Sequence, residues 1–313
     1  MDKTATTEPD NTAALLADVD PRAGPLIITM FGDTIAPHGG SIWLGSLIGL
    51  MSHFAISERL VRTVVFRLAR DGWFETRSAG RRSFYELTQQ ARTTFDDADQ
   101  RIYTASLPSW DGSWTLVQAL PDLPAKDRQQ LRDTLKWYGF GQLSPTLMIH
   151  PRTSNPAPFN GASHAGSVVF QARQEDFAGT ASPTDIAGAA WNIAGLSSAY
   201  AALIKRFGPF LKAIPATPAH CFVLRTLLIH EYRRILLKDP QLPAALTPPD
   251  WPGGEARSLA AELYHLVTPA TDEFVAQNME CWSGDCPAPA PAYHERFADD
   301  HEPLAVGEPR THR

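Results

Sequence analysis

The stretch SERLVRTVVFRLARDGWFETRSAGRRSFYEL, Ser57 to Leu87, decides the fold of the N-terminal third of the chain. Set at 100° per residue, Leu60, Val61, Val64, Val65 and Leu68 fall within an arc of about 140°, a face that must pack against other helices. The opposite arc collects Arg59, Arg62, Thr63, Phe66, Arg67 and Arg70. Ser57 offers an N-cap hydroxyl, Glu58 suits the positive end of the helix dipole, and Asp71-Gly72 stops the helix. Trp73 to Arg77 then predicts a strand, Ala79-Gly80-Arg81 a turn, and Ser83 to Leu87 the returning strand. Upstream, the apolar run from Leu26 to Phe31 predicts a buried helix, Pro37-His38-Gly39-Gly40 a break, and Ile42 to His53 a second helix. Helix, helix, helix, hairpin is the order of a winged helix-turn-helix.

Charge agrees with that reading only locally. The 313 residues carry a net charge of -6, which by itself argues against binding a polyanion. Between Ser57 and Arg82, however, stand the arginines 59, 62, 67, 70, 77, 81 and 82 against Glu58, Asp71 and Glu75. A basic reading surface on an acidic body has this asymmetry. The planar fork of arginine matches guanine O6/N7 or a phosphate with two hydrogen bonds. The candidate DNA-binding residues are therefore Ser57, Arg59, Arg62, Thr63, Arg67 and Arg70 on the helix, with Arg81 and Arg82 on the hairpin. Arg59, Arg62 and Thr63 lie at the end that enters the major groove, while Arg67 and Arg70 suit phosphates. A merely solvated helix face with a Glu58–Arg62 pair is the competing reading. The preceding helix and the arginine-tipped hairpin favour double-stranded DNA.

Further along, Trp114 to Gln118, Thr146 to His150 and Ser167 to Gln171 are strand candidates, and Lys126 to Tyr138 is an amphipathic helix. This alternation suits a small ferredoxin-like unit. Helical patterns over Leu196–Ile214, Ala219–Lys238 and Glu255–Asn278 follow, broken by proline-rich turns. The expected fold class is multidomain α+β. Its parts are a flexible leader (1–22), a winged-helix DNA-binding domain (23–106), a ferredoxin-like domain (107–193), a helical effector-binding and dimerisation domain (194–282) and a disordered acidic, proline-rich tail (283–313).

Other chemistry finds little support in the residues. No segment reaches the ~20 apolar residues of a membrane span, and nothing before Gly24 resembles a signal segment, so a reduced cytoplasm is the expected setting. Cys281 and Cys286, near Asp285 and His294, lack a clean fourth ligand for zinc, and no metal is expected. His230-Glu231 begins a zinc-protease pattern that fails at Arg234. Gly195 to Ala199 lacks the second glycine of a nucleophile elbow. No catalytic residue and no cofactor is expected.

The run LIITMFGDTIAPHGGSIWLGSLIGLMSHFAISERLVRTVVFRLARDGWFETRSAGRRSFYELT (Leu26–Thr88) resembles the PaaX family, repressors of phenylacetic acid degradation operons. So does LRTLLIHEYRRILLKDPQLPAALTPPDWPG (Leu224–Gly253), and the resemblance covers most of 24–280. It implies a GntR-like winged helix, a central ferredoxin-like domain, a helical C-terminal domain, and release from the operator by phenylacetyl-CoA. Such an effector demands cations for its phosphates and an apolar slot for the aryl group. The candidates are Trp191, Tyr200, Arg206, Arg225, Tyr232, Arg233, Arg234 and Trp251, with Lys205, Phe222 and Tyr264 beside them. Aromatics of this kind are also ordinary core, and the arginines also suit interdomain salt bridges. The function implied is a homodimeric repressor on a palindromic operator. An acyl-CoA hydrolase or transferase with an accessory winged helix, or a ferredoxin-like nuclease, are the alternatives.

Overall fold

A computed structural model of the chain describes residues 11–103, 109–151, 166–177, 179 and 181–298. In chain order the elements begin α1 (Asn11–Val19), α2 (Ala23–Met30), a π-helical turn (Phe31–Ile35), β1 (Ser41–Trp43), α3 (Leu44–Ser52), α4 (Glu58–Arg70), β2 (Phe74–Ala79), β3 (Arg82–Leu87) and α5 (Gln89–Tyr103). They continue with β4 (Ser113–Ala119), α6 (Ala125–Trp137), β5 (Gly141–Ser144), β6 (Leu147–His150), β7 (Ser167–Arg173) and α7 (Pro183–Ala190). The last are α8 (Ile193–Phe207), α9 (Pro218–Leu236), α10 (Gly253–Asn278), β8 (Glu280–Cys281), β9 (Gly284–Asp285) and α11 (Pro291–His294). No helix among the described residues is long and apolar enough to cross a membrane.

The chain divides into two units. The first takes in the described parts of Met1–Ala105, Ala202–Arg234 and Glu255–Arg313. In it, β1, β3 and β2 form an antiparallel sheet in that order, so the segment before α3 pairs with the returning strand of the hairpin. Ile42–Trp43, expected as the start of a helix, is extended because Trp43 lies opposite Phe84 and Ile42 is fully buried; the helix begins only at Leu44.

Both ends of this unit are more ordered than their composition suggests. Asn11–Val19, expected within a flexible leader, is helical, with Leu15 buried and Asp18 paired to Arg206 of α8. Residues 283–298, expected in a disordered tail, contain β9 and α11 and bury Tyr293, Arg296 and Phe297. The C-terminal segment is held by a buried ion cluster around Asp33 in the π-helical turn. Arg225 Nε of α9 donates to Asp33 Oδ2 at 3.1 Å, and Arg296 Nη1 to Asp33 Oδ1 at 3.4 Å. Tyr103 donates to Asp33 Oδ1 at 2.8 Å, while Arg296 also reaches Asp99 at 2.5 Å. Buried charges are tolerated when paired and hydrogen-bonded like this, and they fix which segments must meet.

The second unit takes in the described parts of Ser106–Ala201 and Ile235–Gly254. Its sheet has the order β5-β6-β4-β7, every neighbouring pair antiparallel. Side chains alternate along β4 with the strand period of two. Trp114 joins Ile149, Ala187, Ile193, Leu242 and Leu246 in one core, whereas Val117 and Ala119 join Leu131, Leu135, Phe140 and Met148 in another. Helix α7 was not anticipated, although its signal is legible: Ser182 and Asp185 form a capping box around Pro183. The expected helix to Ile214 ends at Phe207, where a 3₁₀ turn containing Pro209 begins.

Candidate nucleic-acid interface

Helix α4 begins and ends on its own local chemistry. Ser57 is extended, and its Oγ accepts from Leu60 N–H at 3.4 Å. At the other end Gly72, with φ +81°, donates to Ala69 O at 3.1 Å and Trp73 donates to Leu68 O at 3.0 Å, the paired bonds of a Schellman stop. Glu58 sits in the first turn and Arg67 and Arg70 in the last, each complementing the helix dipole. Val61, Val64, Val65 and Leu68 are buried. Leu60, expected among them, is 45% exposed, because it stands at the edge of the apolar arc.

The outward face carries Arg59, Arg62, Thr63, Phe66, Arg67 and Arg70, all exposed, with Phe66 at 70%. Arg62 donates through Nε to Glu58 at 2.8 Å, and Thr63 Oγ1 to the Arg59 carbonyl at 2.8 Å. Arg70 lies 3.6 Å from Asp71. The two ion pairs, Arg62–Glu58 and Arg70–Asp71, are solvent-exposed and so contribute little.

The hairpin turns through Gly80-Arg81 between the opposed residues Ala79 and Arg82. Gly80 has φ +62° and Arg81 does not have positive φ, as a type II′ connection requires. Arg81 is exposed at the tip and forms no ion pair among the described residues. Sequence reasoning missed the residues that hold the other hairpin arginines. Arg77 pairs with Glu86 at 3.1 Å and lies 5.3 Å over the Trp282 ring. Arg82 pairs with Glu280 and lies 4.8 Å over Trp43. Trp282 meets Phe84 edge-on at 5.3 Å, so β8 and its turn brace the hairpin from the far end of the sequence.

The eight candidate effector residues divide between the two units. Trp191, Tyr200 and Trp251 belong to the second unit: Trp191 Nε1 donates to Gly139 O at 3.0 Å, and Tyr200 donates to Asp239 at 2.6 Å and packs on Trp251 at 5.6 Å. The other five belong to the first unit. Arg225 is fully buried in the ion cluster, where Asp33, Asp272, Thr34, Thr268 and Tyr293 occupy its donors. It is a core residue rather than a surface cation, and Tyr232 is buried too.

Arg206 and Arg234 do come together, sharing Glu231 at 3.0 and 2.7 Å. Arg233 lies alongside, donating to Thr29 Oγ1 at 3.1 Å; burial pulls its pKa below the usual guanidinium value. His230 Nδ1 is 2.9 Å from the same Thr29 hydroxyl. Burial, and then Arg233 and Arg234, push its pKa down to about 4, so the ring is neutral near pH 7. Among the described residues, no group of three or more His, Cys, Asp or Glu side chains is placed to hold a metal.

Comparison with known proteins agrees with this architecture. The PaaX-like protein family matches residues 22–91, the PaaX protein central Cas2-like domain matches 107–175, and the PaaX-like protein C-terminal domain matches 191–277. The chain is 35% identical over 285 residues to the transcriptional repressor PaaX of Escherichia coli (strain K12), an alignment covering 87% of this chain and 89% of the relative. A solved structure, the uncharacterized protein Rv0674 from Mycobacterium tuberculosis, shares the fold with a TM-score of 0.56 at 23% identity, covering 80% of this chain and 99% of that one. With three successive domains matched in order and a relative aligned along most of its length, the chain belongs to the PaaX family.

Proposed function

We propose that this chain is a cytoplasmic, homodimeric transcriptional repressor of an aromatic, phenylacetate-type catabolic operon, and that an aryl-CoA thioester, phenylacetyl-CoA, releases it from its operator. The observation that carries the DNA-binding part is the exposed face Arg59, Arg62, Thr63, Arg67 and Arg70 beside a hairpin tipped by Arg81 and Arg82. The name of the curated relative, a transcriptional repressor, supports the same reading and weighs against a hydrolase or transferase. In this reading α2, α3, α4 and the β1-β3-β2 sheet are a winged helix-turn-helix. The order β5-β6-β4-β7 supports a ferredoxin-like central domain, with the C-terminal helices forming an effector and dimerisation domain. Arg59, Arg62 and Thr63, with Ser57 at the helix start, face bases, and Arg67, Arg70, Arg81 and Arg82 face phosphates.

For the effector, Arg206, Arg233 and Arg234 are the proposed phosphate partners, the phosphates replacing Glu231 between Arg206 and Arg234. Release then requires the ligand to favour the conformation that binds DNA poorly. Two measurements test the proposal. A duplex selected from a random library by the intact protein should shift in a gel with the wild type and lose affinity with Arg62→Ala. Calorimetric titration should give tighter binding for phenylacetyl-CoA than for CoA or phenylacetate, and Arg234→Ala should weaken it. Equal affinity of Arg62→Ala for the duplex overturns the reading face; absence of heat with every thioester overturns the effector.

A further inference from the structure

Between α10 and α11 the chain forms a small hairpin, β8 and β9, joined by Trp282-Ser283, in which Cys281 lies opposite Gly284. Cys286 follows β9 directly, two residues beyond Gly284, where continued strand alternation carries it to the Cys281 face. The two thiols influence each other's titration, and Cys286 Sγ donates to the Pro287 carbonyl at 3.6 Å. Cys281 is buried and its Sγ lies 3.3 Å from the His38 carbonyl, whereas Cys286 is half-buried. The neighbouring Cys286 pulls the Cys281 pKa below the usual thiol value, and Cys281 pushes that of Cys286 up. Cys221 stands apart on α9, bonded to Pro215 O, with its pKa raised by burial.

The residues on either side of Cys281 grip the N-terminal elements. Glu280 N–H donates to Ser46 Oγ at 3.1 Å and Trp282 N–H to Ser41 Oγ at 2.9 Å. Glu280 also holds Arg82, and Trp282 lies against Phe84 and Arg77. We propose that Cys281 and Cys286 form a peroxide-oxidisable dithiol whose disulfide loosens this brace on the arginine hairpin. A diagonal pair in an antiparallel ladder has its Cβ atoms farther apart than the ~3.8 Å of a disulfide, so closing the bond shears the hairpin that carries Glu280 and Trp282.

The chemistry balances. The Cys281 thiolate attacks one oxygen of hydrogen peroxide, the O–O bond breaks, and the leaving hydroxide takes up a proton to become water. The Cys286 thiol, giving up its proton, then attacks the resulting sulfenic acid at sulfur and displaces a second water. Peroxide is reduced by two electrons and the two thiols are oxidised to one disulfide.

The effect on DNA rests on the repressor reading above; the disulfide does not. Full-length reduced protein is treated with hydrogen peroxide, alkylated and digested for mass spectrometry, and its affinity for the library-selected duplex is followed by fluorescence anisotropy. The expected result is a Cys281–Cys286 peptide, Cys221 still alkylated, and operator affinity weakened about tenfold as the hairpin cations lose their positions. Dithiothreitol should restore binding, Cys286→Ser should abolish the response, and Cys221→Ser should leave it intact. Oxidation that stops at Cys281 alone, or a disulfide that leaves affinity unchanged, overturns the proposal. If the reduced protein binds no duplex, the repressor reading falls while mass spectrometry still decides the disulfide.

Discussion

Replacing Arg225 by Met separates a buried structural cation from a ligand-binding one. The substitution keeps the side-chain volume but strands Asp33, which is 2% exposed and whose Oδ2 accepts from Arg225 Nε at 3.1 Å. It also removes one partner each from Asp272, at 3.2 Å, and from the Thr34 and Thr268 hydroxyls, both at 3.4 Å, which keep others. Arg296 and Tyr103 still reach Asp33, so the carboxylate is not left bare. Removing one member of a buried ion pair costs about 3–5 kcal/mol. For a body of this size a urea m-value near ~2.5 kcal/mol per M is appropriate, which turns that cost into a midpoint lowered by about 1–2 M. Urea unfolding followed by near-UV and far-UV circular dichroism reads the shift. Arg225→Lys, which keeps the charge but not the fork, should fall between the two. Adding Asp33→Asn to Arg225→Met should cost less than the sum of the single changes, because the two groups interact. A variant as stable as the wild type, deficient only in thioester binding, would refute the reasoning and return Arg225 to the effector site.

Four further outcomes are expected. Arg62→Ala should weaken operator binding by about 1–3 kcal/mol in a mobility-shift assay, while thermal stability barely moves, since an exposed i,i+4 pair with Glu58 contributes only ~0.5 kcal/mol. Arg81→Ala should weaken all duplexes alike and lower the slope of log affinity against log salt by about 0.9 for each protomer, measured by anisotropy across a potassium chloride series. Gly80→Val places a β-branched residue at φ +62° and should cost about 1–2 kcal/mol, read as a lower melting temperature. His230, whose pKa falls to about 4 in the folded chain, binds its proton less readily there than when unfolded. Its contribution is intact above pH 6.5 and is lost as pH falls from 6.5 towards 4, by at most ~3 kcal/mol; His230→Gln should flatten that part of the stability–pH curve.

What the sequence reveals is what local chemistry determines. Helix α4 is legible residue by residue because its cap, its apolar period and its glycine stop all lie within Ser57–Trp73. Strand β1 is not, since three residues carry no period and Trp43 is extended only by pairing with Phe84, far along the chain. The order of 283–298 hangs on Arg296 and Phe297 reaching Asp33 and Tyr103, contacts that leave no pattern in a proline-rich segment. For the effector residues, residue type was a poor guide: arginine and tyrosine suit a ligand pocket and a buried ion cluster equally, and Arg225 and Tyr232 went to the core.

The same limit bears on the DNA face. Of the seven arginines counted between Ser57 and Arg82, four are held by carboxylates: Arg62 by Glu58, Arg70 by Asp71, Arg77 by Glu86 and Arg82 by Glu280. Arg59, Arg67 and Arg81 have no ion pair among the described residues. In the proposed reading the basic stretch would meet DNA as a surface of partly exchanged pairs rather than a bare cationic strip. Exposed pairs of this kind contribute about 0–1 kcal/mol, so a phosphate displaces the carboxylate at little cost. Arg82 differs from the rest, because its carboxylate comes from β8, which is anchored by the hydroxyls of Ser46 and, through Trp282, Ser41. Whatever moves β8 changes how much charge the hairpin presents, which links the C-terminal segment to the DNA face through one named pair.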